Sequence, residues 1–345
     1  MFSMKIDPIV RLVACTAWLW SCAPQTENTQ NAGNTPVAPP TRIPVVFDTD
    51  ANNELDDQHA MAYLFFNGET FDVRGVTVNA TPSGGEIGLH YTEAQRIIRL
   101  CGVAGRVPLY SGADGGFEAI VGSLNDDDYD GKEAVEFIIA EARQPREQPL
   151  VLLPVGKLTN IALALKKAPD IASRVTIVWL GSNYPEKGEY NLGNDIAALN
   201  YVLDQEVPFE MVTVRYGRET GSDAVKATFS DIQQKMPGVG PGSEAVTGRH
   251  GGEFTRFGDY SVDLFTHAQM YGDPPSRALF DMVAVAILKN KDWGEAQVIP
   301  APTMIDELWQ ERPNNPRKIT IWGNFDRESL MQDFYAVMQH PVLGP

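Results

Sequence analysis

The apolar run Ile43-Pro44-Val45-Val46-Phe47 leads directly into Asp48-Thr49-Asp50-Ala51-Asn52-Asn53-Glu54-Leu55-Asp56-Asp57-Gln58-His59-Ala60. An apolar stretch this short, bounded by a proline and an acidic turn, reads as a buried strand, and the segment from Leu55 to Phe66 reads as a helix. Four aspartates and a glutamate therefore crowd ten positions where a first strand passes into a first helix. In an open α/β sheet that edge, beyond the carboxyl end of the strand, is where ligands bind. Carboxylates packed so closely repel one another unless shared protons or a cation relieve them. Hard oxygen donors suit calcium or magnesium better than zinc. Helix starts also favour aspartate, but a cap needs one such side chain and not four.

From residue 42 onward, short apolar runs alternate with helix-like segments. Val73–Val78, Leu150–Val155, Val175–Leu180 and Phe209–Val214 read as strands, with helices at about 84–101, 130–143, 158–167 and 195–205. Such alternation implies an α/β fold with an open, mostly parallel central sheet and helices on both faces. A chain of 345 residues, 43 % apolar, is long enough to fill the core of one such domain. No break in composition marks a second one. Met236 to Gly258 stands apart with seven glycines, and reads as a lid or a mobile surface loop.

The first 41 residues lack this pattern. Lys5 and Arg11 flank a short apolar segment, Leu12 to Trp20, too short to span a bilayer as a mature helix. It runs into Leu19-Trp20-Ser21-Cys22, which resembles a bacterial lipobox; an ordinary secretory signal in which Cys22 is incidental is the alternative. The expected organisation is a signal peptide over 1–21, a lipid-anchored flexible linker over 22–41 and a folded domain over 42–345. With Ala23 rather than aspartate after the cysteine, the outer membrane, facing the periplasm or the cell surface, is the expected location of this exported lipoprotein. The membrane is then met only through the N-terminal lipid. Loss of the signal removes Cys15 and lipidation consumes Cys22, leaving Cys101, so neither a disulfide nor a thiolate metal site can form. A net charge of −17 argues against a nucleic-acid partner.

Asp48-Thr49-Asp50, Asp56-Asp57 and Ala60 resemble the N-terminal fingerprint of the calcium-dependent, inosine-uridine preferring nucleoside hydrolase family, with a turn over Ala51–Leu55 two residues longer than usual. Three later segments extend the resemblance in order. Val155-Gly156-Lys157-Leu158-Thr159-Asn160-Ile161-Ala162 is similar to a segment whose carbonyl before the glycine ligates calcium, here that of Val155. Glu189-Tyr190-Asn191, with Asp195 downstream, is similar to a ribose-binding segment, and Asn183 and Asn79 fall near further ribose-binding asparagines. Phe280-Asp281 matches a His-Asp pair whose aspartate ligates calcium and whose histidine protonates a departing base; phenylalanine cannot.

The resemblance implies a Rossmann-like nucleoside hydrolase fold, Ca²⁺ as cofactor and hydrolysis of the N-glycosidic bond of ribonucleosides to base and ribose. It further implies Asp50, Asp57, Val155 and Asp281 as metal ligands, Asp50 as the base that takes a proton from water, and Asp56, Asn79, Asn183, Glu189 and Asn191 as substrate-binding residues. Asp48 would orient the others, and Asn53 or Glu54 could substitute for one of them. The expected partner is a small nucleoside or other ribosyl compound, which carries no phosphate and is compatible with an acidic protein; family members often form homo-oligomers. Histidines His250 and His267 are candidates for the missing acid, His59 for packing, and Lys157 and Tyr260 for a base pocket. A sugar-processing relative, a ribose-binding lipoprotein without turnover and a metal-dependent phosphatase are the competing readings.

Overall fold

The computed structural model describes Met1 and residues 41–345, so the signal-peptide reading and nearly all of the linker reading lie outside the described residues. β1 (Ile43–Thr49) is buried along six of its seven residues, as a strand covered on both faces must be. It is followed by α1 (Asp56–Phe66), β2 (Phe71–Val78), α2 (Ile87–Leu100), β3 (Leu109–Tyr110), α3 (Lys132–Ala142), β4 (Leu150–Pro154), α4 (Thr159–Lys167), β5 (Val175–Leu180), α5 (Ile196–Leu203) and β6 (Phe209–Val212). A short strand β7 (Lys226–Thr228) pairs antiparallel with β8 (Ser276–Ala278), and between them lies α6 (Phe257–His267). The chain closes with α7 (Phe280–Lys289), β9 (Glu295–Pro300), β10 (Lys318–Gly323) and α8 (Arg327–Gln339).

Eight strands form one sheet in the order β9-β10-β6-β5-β4-β1-β2-β3, and only β9 runs against its neighbour. The fold is therefore the expected α/β sheet. The chain leaves β1 outward to β2 and β3, then returns to the other side of β1 and continues through β4, β5 and β6. At such a reversal, successive crossovers depart to opposite faces and leave a crevice at the carboxyl ends of the two central strands. Alternate residues of β1 feed two cores: Val45 and Phe47 pack with α1, α2, α6, α7 and α8, and Val46 packs with α3, α4 and α5. Cys101 is fully buried in the first of these.

The stretch from Met236 to Gly258 is not an open loop. Val246–Thr247 pairs with Glu253–Phe254 in a small hairpin, and Arg96 Nε on α2 donates to the Thr247 carbonyl at 2.6 Å. Among the described residues no helix is long and apolar enough to cross a membrane.

One close approach locks the central strand ends together. Asn160, on α4, donates to Asp48 at 2.7 Å and to the Val78 carbonyl at 3.0 Å, and accepts from the Ala113 amide at 2.9 Å. Gly112 lies against this amide so tightly that a Cβ would collide with the Val78 carbonyl and the Asn160 side chain. Gly112→Ala is expected to lower unfolding stability by about 1–3 kcal/mol, the usual cost of overfilling a packed interior; denaturant titration measures it, and an unchanged midpoint would contradict the packing described.

Candidate functional site

The acidic stretch occupies the crevice. Thr49 ends β1, the turn 50–55 follows, and α1 begins at Asp56 with Leu55 as its N-cap and no side-chain cap bond. Asp56 and Asp57 thus sit inside the first turn of α1, where the positive end of the helix dipole favours a carboxylate. α7 delivers Asp281 in the same way: Leu279 is its N-cap, and Asp281 lies in its first turn. Neither segment uses its aspartates as side-chain caps, which removes the simpler explanation for them. The carboxylates of Asp56, Asp57 and Asp281 come within 4.8 Å of one another, all buried.

The turn between Asp50 and Asp56 is tied on one side to α2 and the segment before it. The Asn52 amide donates to His90 Nδ1 at 3.2 Å and its side chain to the Gly84 carbonyl at 2.7 Å. Gln58 Nε2 reaches back to the Ala51 carbonyl at 2.8 Å and to Glu93 at 3.0 Å. These bonds hold the turn against α2 while Asp56 and Asp57 lie beside Asp281.

Asp50 accepts from Thr81 Oγ1 at 2.6 Å, and Asp57 accepts from Thr49 Oγ1. Asp48 is fully buried behind them and accepts from Thr77, Asn79 and Asn160 at 2.6, 2.7 and 2.7 Å. Burial pushes Asp48 and Asp50 up to about 6 and Asp56 up to about 7. Asp57 and Asp281 are raised well above the ordinary carboxylate value, first by burial and then by the like charges around them.

A cavity of about 580 Å³ opens onto Asp50, Asp56, Asp57, Asp281, Glu189, Asn191 and the Val155 backbone. Glu189 caps the short helix Tyr190–Asn194, accepting from the Ser182, Asn191 and Leu192 amides at 2.7, 2.9 and 2.9 Å. Asn191 Nδ2 donates to the Val155 carbonyl at 2.7 Å and the Leu180 carbonyl at 3.1 Å. The remaining wall comes from segments the sequence did not single out: Tyr216 after β6, Asp223 and Lys226, and Tyr271, Ser276, Arg277 and Ala278. They belong to a three-residue strand pair and its approaches, with no motif to announce them.

Several expected residues lie elsewhere. Asn183 is absent from the cavity wall; its Nδ2 donates to the Gly188 carbonyl and its Oδ1 accepts from the Tyr216 amide at 3.0 Å, so it ties two loops together. Asn79 lies behind Asp50, with Nδ2 on Asp48 and a buried Oδ1 that has no partner. Asp195 caps α5 and accepts from Thr159 at 2.6 Å, outside the cavity. Lys157 donates to the Asp114 and Gly115 carbonyls at 2.9 and 2.6 Å, and Tyr260 donates to Glu93 at 2.8 Å; neither lines the cavity. His59 is a core residue bonded to Ser261 at 2.7 Å. His250 and His267 also miss the cavity and meet each other around Asp263, at 3.1 and 3.3 Å. Their rings stack at 4.3 Å and 29°, and His250, Asp263 and His267 offer ligand atoms within 4.8 Å of one another at a place separate from the cavity. The glycine-rich hairpin does not line the cavity either, so the lid expectation is not met.

The donor set fits a hard divalent cation. It offers carboxylates and a carbonyl, with no histidine or cysteine on the cavity wall. Gly156 keeps the approach open, since a Cβ there would lie 2.9 Å from both Asp50 Oδ1 and the unpartnered Asn79 Oδ1. Buried charges this close need a counter-ion or protons.

The sign of the pH effect follows. Folded carboxylates raised from near 4 toward 6–7 hold more protons than unfolded ones, so the ion-free protein loses stability as pH rises through that window. A cation that replaces those protons stabilises more as pH rises. With chelator present, the melting temperature is expected to fall between pH 5 and pH 8; a saturating divalent cation should raise it by roughly 5 °C at pH 8 and by less at pH 5. Scanning fluorimetry reads this, and a cation effect equal at both pH values would refute it.

Comparison with known proteins agrees with this architecture. The profile of the family described as inosine-uridine preferring nucleoside hydrolase matches residues 45–330. An uncharacterized protein of Schizosaccharomyces pombe is 28 % identical over 193 residues, covering 49 % of this chain and 60 % of that one. An inosine-uridine preferring nucleoside hydrolase of Leishmania major is 36 % identical over 80 residues, 22 % of this chain and 24 % of its own. The chain thus spans less than two thirds of the length of these relatives. A plant nucleoside hydrolase structure superposes with a TM-score of 0.67 at 16 % identity, over 87 % of this chain and 100 % of that one. With its profile match running through the crevice strands and both aspartate-bearing helices, the chain belongs to the inosine-uridine preferring nucleoside hydrolase family.

Proposed function

We propose that this protein hydrolyses the N-glycosidic bond of ribonucleosides with the help of a calcium ion. The observation that carries the reading is the convergence of Asp50, Asp56, Asp57, Asp281 and Glu189, all buried, on one cavity at the carboxyl ends of the central strands. Asp50, Asp57, Asp281 and the Val155 carbonyl would hold the ion, with Asp56 alongside. When bound, calcium supplies a fixed positive charge that gathers oxygen ligands and eases ionisation of a nearby water.

The side chains supply the rest. Cleavage passes through a ribosyl state with oxocarbenium character, which neighbouring carboxylates stabilise. Asp50, held by Thr81 on the cavity wall, is placed to accept a proton from the attacking water. Asn191 gives its side-chain protons to two carbonyls, which leaves Oδ1 for a ribose hydroxyl. Asp56 accepts a second hydroxyl. Glu189 keeps the loop carrying Asn191 in place. Asn183, engaged in the loops, acts at most by setting the position of Tyr216. An aromatic slot, Tyr216 edge-on to Phe280 at 5.7 Å and 88°, suits a planar base.

The proposal extends to location: export as a lipoprotein through Cys22, with the substrate met outside the cytoplasm, for which metabolic labelling with a fatty acid is the direct check. For activity, purified protein with calcium is expected to release ribose from inosine, uridine or adenosine, and a chelator to abolish the release. Asp50→Asn should lower kcat by about 10²–10⁴-fold, the usual contribution of a positioned base. Ligand binding without ribose release would instead identify a binding protein.

A further inference from the structure

The cavity wall also carries an arginine held by several contacts. The Arg277 side chain is only 10 % exposed. One guanidinium nitrogen donates to the Gln269 carbonyl at 2.9 Å, another pairs with Glu54, and the group lies over the Tyr271 ring at 5.2 Å from its centre. Arg277, Glu54 and Tyr271 all line the cavity that holds the aspartates. A guanidinium has five N–H donors, so these contacts leave donors for a ligand. Glu54 comes from the lengthened turn between Asp50 and Asp56, so the turn that places the metal-binding aspartates also grips the arginine.

The chemistry of the proposed reaction calls for such a group. When the bond from C1′ to the base nitrogen breaks, its electron pair leaves with the base, while the water oxygen bonds to C1′ and a water proton passes to a carboxylate. The departing base is electron-rich and must be stabilised where it leaves. Phe280, beside Asp281, has no proton or N–H to offer, and the Tyr216–Phe280 pair supplies a flat surface without charge. Arg277 supplies fixed positive charge and paired donors without giving up a proton. A planar fork of this kind matches the O6 and N7 acceptors of a 6-oxopurine and meets the donor amino group of adenine poorly.

We propose that Arg277, positioned by Glu54, binds the departing base and stabilises the charge it takes away. The inference rests on the nucleoside hydrolase reading. It is tested with intact protein and calcium on inosine, adenosine and p-nitrophenyl riboside, whose leaving group needs little help. Arg277→Gln is expected to lower kcat/KM for inosine by about 10- to 100-fold, the worth of a charged hydrogen bond, and to affect p-nitrophenyl riboside far less. The inosine-to-adenosine preference should shrink in the same variant. Arg277→Lys, which keeps the charge without the fork, should fall between wild type and Arg277→Gln, and Glu54→Gln should lower the inosine-to-nitrophenyl ratio by a smaller factor than Arg277→Gln. Melting curves confirm that each variant is folded. An equal loss on all three substrates, or an unchanged inosine rate, overturns the assignment while leaving hydrolase activity standing. No turnover of any of the three by the unaltered protein overturns the activity, and the assignment with it.

Discussion

Mutual repulsion among buried carboxylates is the constraint around which this domain is arranged. Five buried acidic groups face one cavity, and burial takes from them much of the screening that bulk water gives. The fold offsets part of the cost with the N-terminal ends of α1 and α7, which aim helix dipoles at Asp56, Asp57 and Asp281. Thr49 and Thr81 add hydrogen bonds. Asp48 shows the difference a full set of donors makes: with three of them it is held in place, and it is not on the cavity wall. On the wall, Glu189 is met by three amides, whereas Asp50 and Asp57 each take a single threonine hydroxyl. That imbalance is stable only if something positive enters the cavity.

Much of this was legible in the sequence because the decisive residues are local. Strand, acidic turn and helix follow one another between residues 43 and 66, so charge density and the apolar run alone place the carboxylates at a strand end. The strands at 150–154 and 175–180 were equally plain as short apolar runs, the second rich in β-branched residues. Asp281 was readable only through the likeness of Phe280-Asp281 to a His-Asp pair, since a lone acid opening an apolar helix reads by default as an N-cap. What stayed hidden depends on contacts between distant segments. Arg277 sits on a three-residue strand of no distinctive composition, and its link to Glu54 follows from the tertiary fold. Asn183 looked like a binding residue because its neighbours did, but its two polar atoms are used up by loop backbone. The glycines between 236 and 258 suggested mobility, whereas backbone pairing and Arg96 make a fixed hairpin of part of that stretch.

The lengthened turn illustrates how an insertion is tolerated beside a demanding site. Its extra residues are pinned by His90, Gly84 and Gln58 on the side facing α2. The same turn carries Glu54 to Arg277 on the cavity wall, so one loop both leads to Asp56 and Asp57 and reaches the arginine.

Asn191 has a thermodynamic consequence. Its amide bridges the Val155 and Leu180 carbonyls, and its oxygen faces the space where a sugar would lie. A carbonyl oriented by that amide is the one proposed to hold the ion, so in the proposed reaction ion and sugar would share one bracket. Ordering the bracket with either ligand lowers the cost of admitting the other, and by reciprocity the two affinities must rise by the same factor. The cavity would then fill as a pair, with the cation remaining weakly held until a diol arrives.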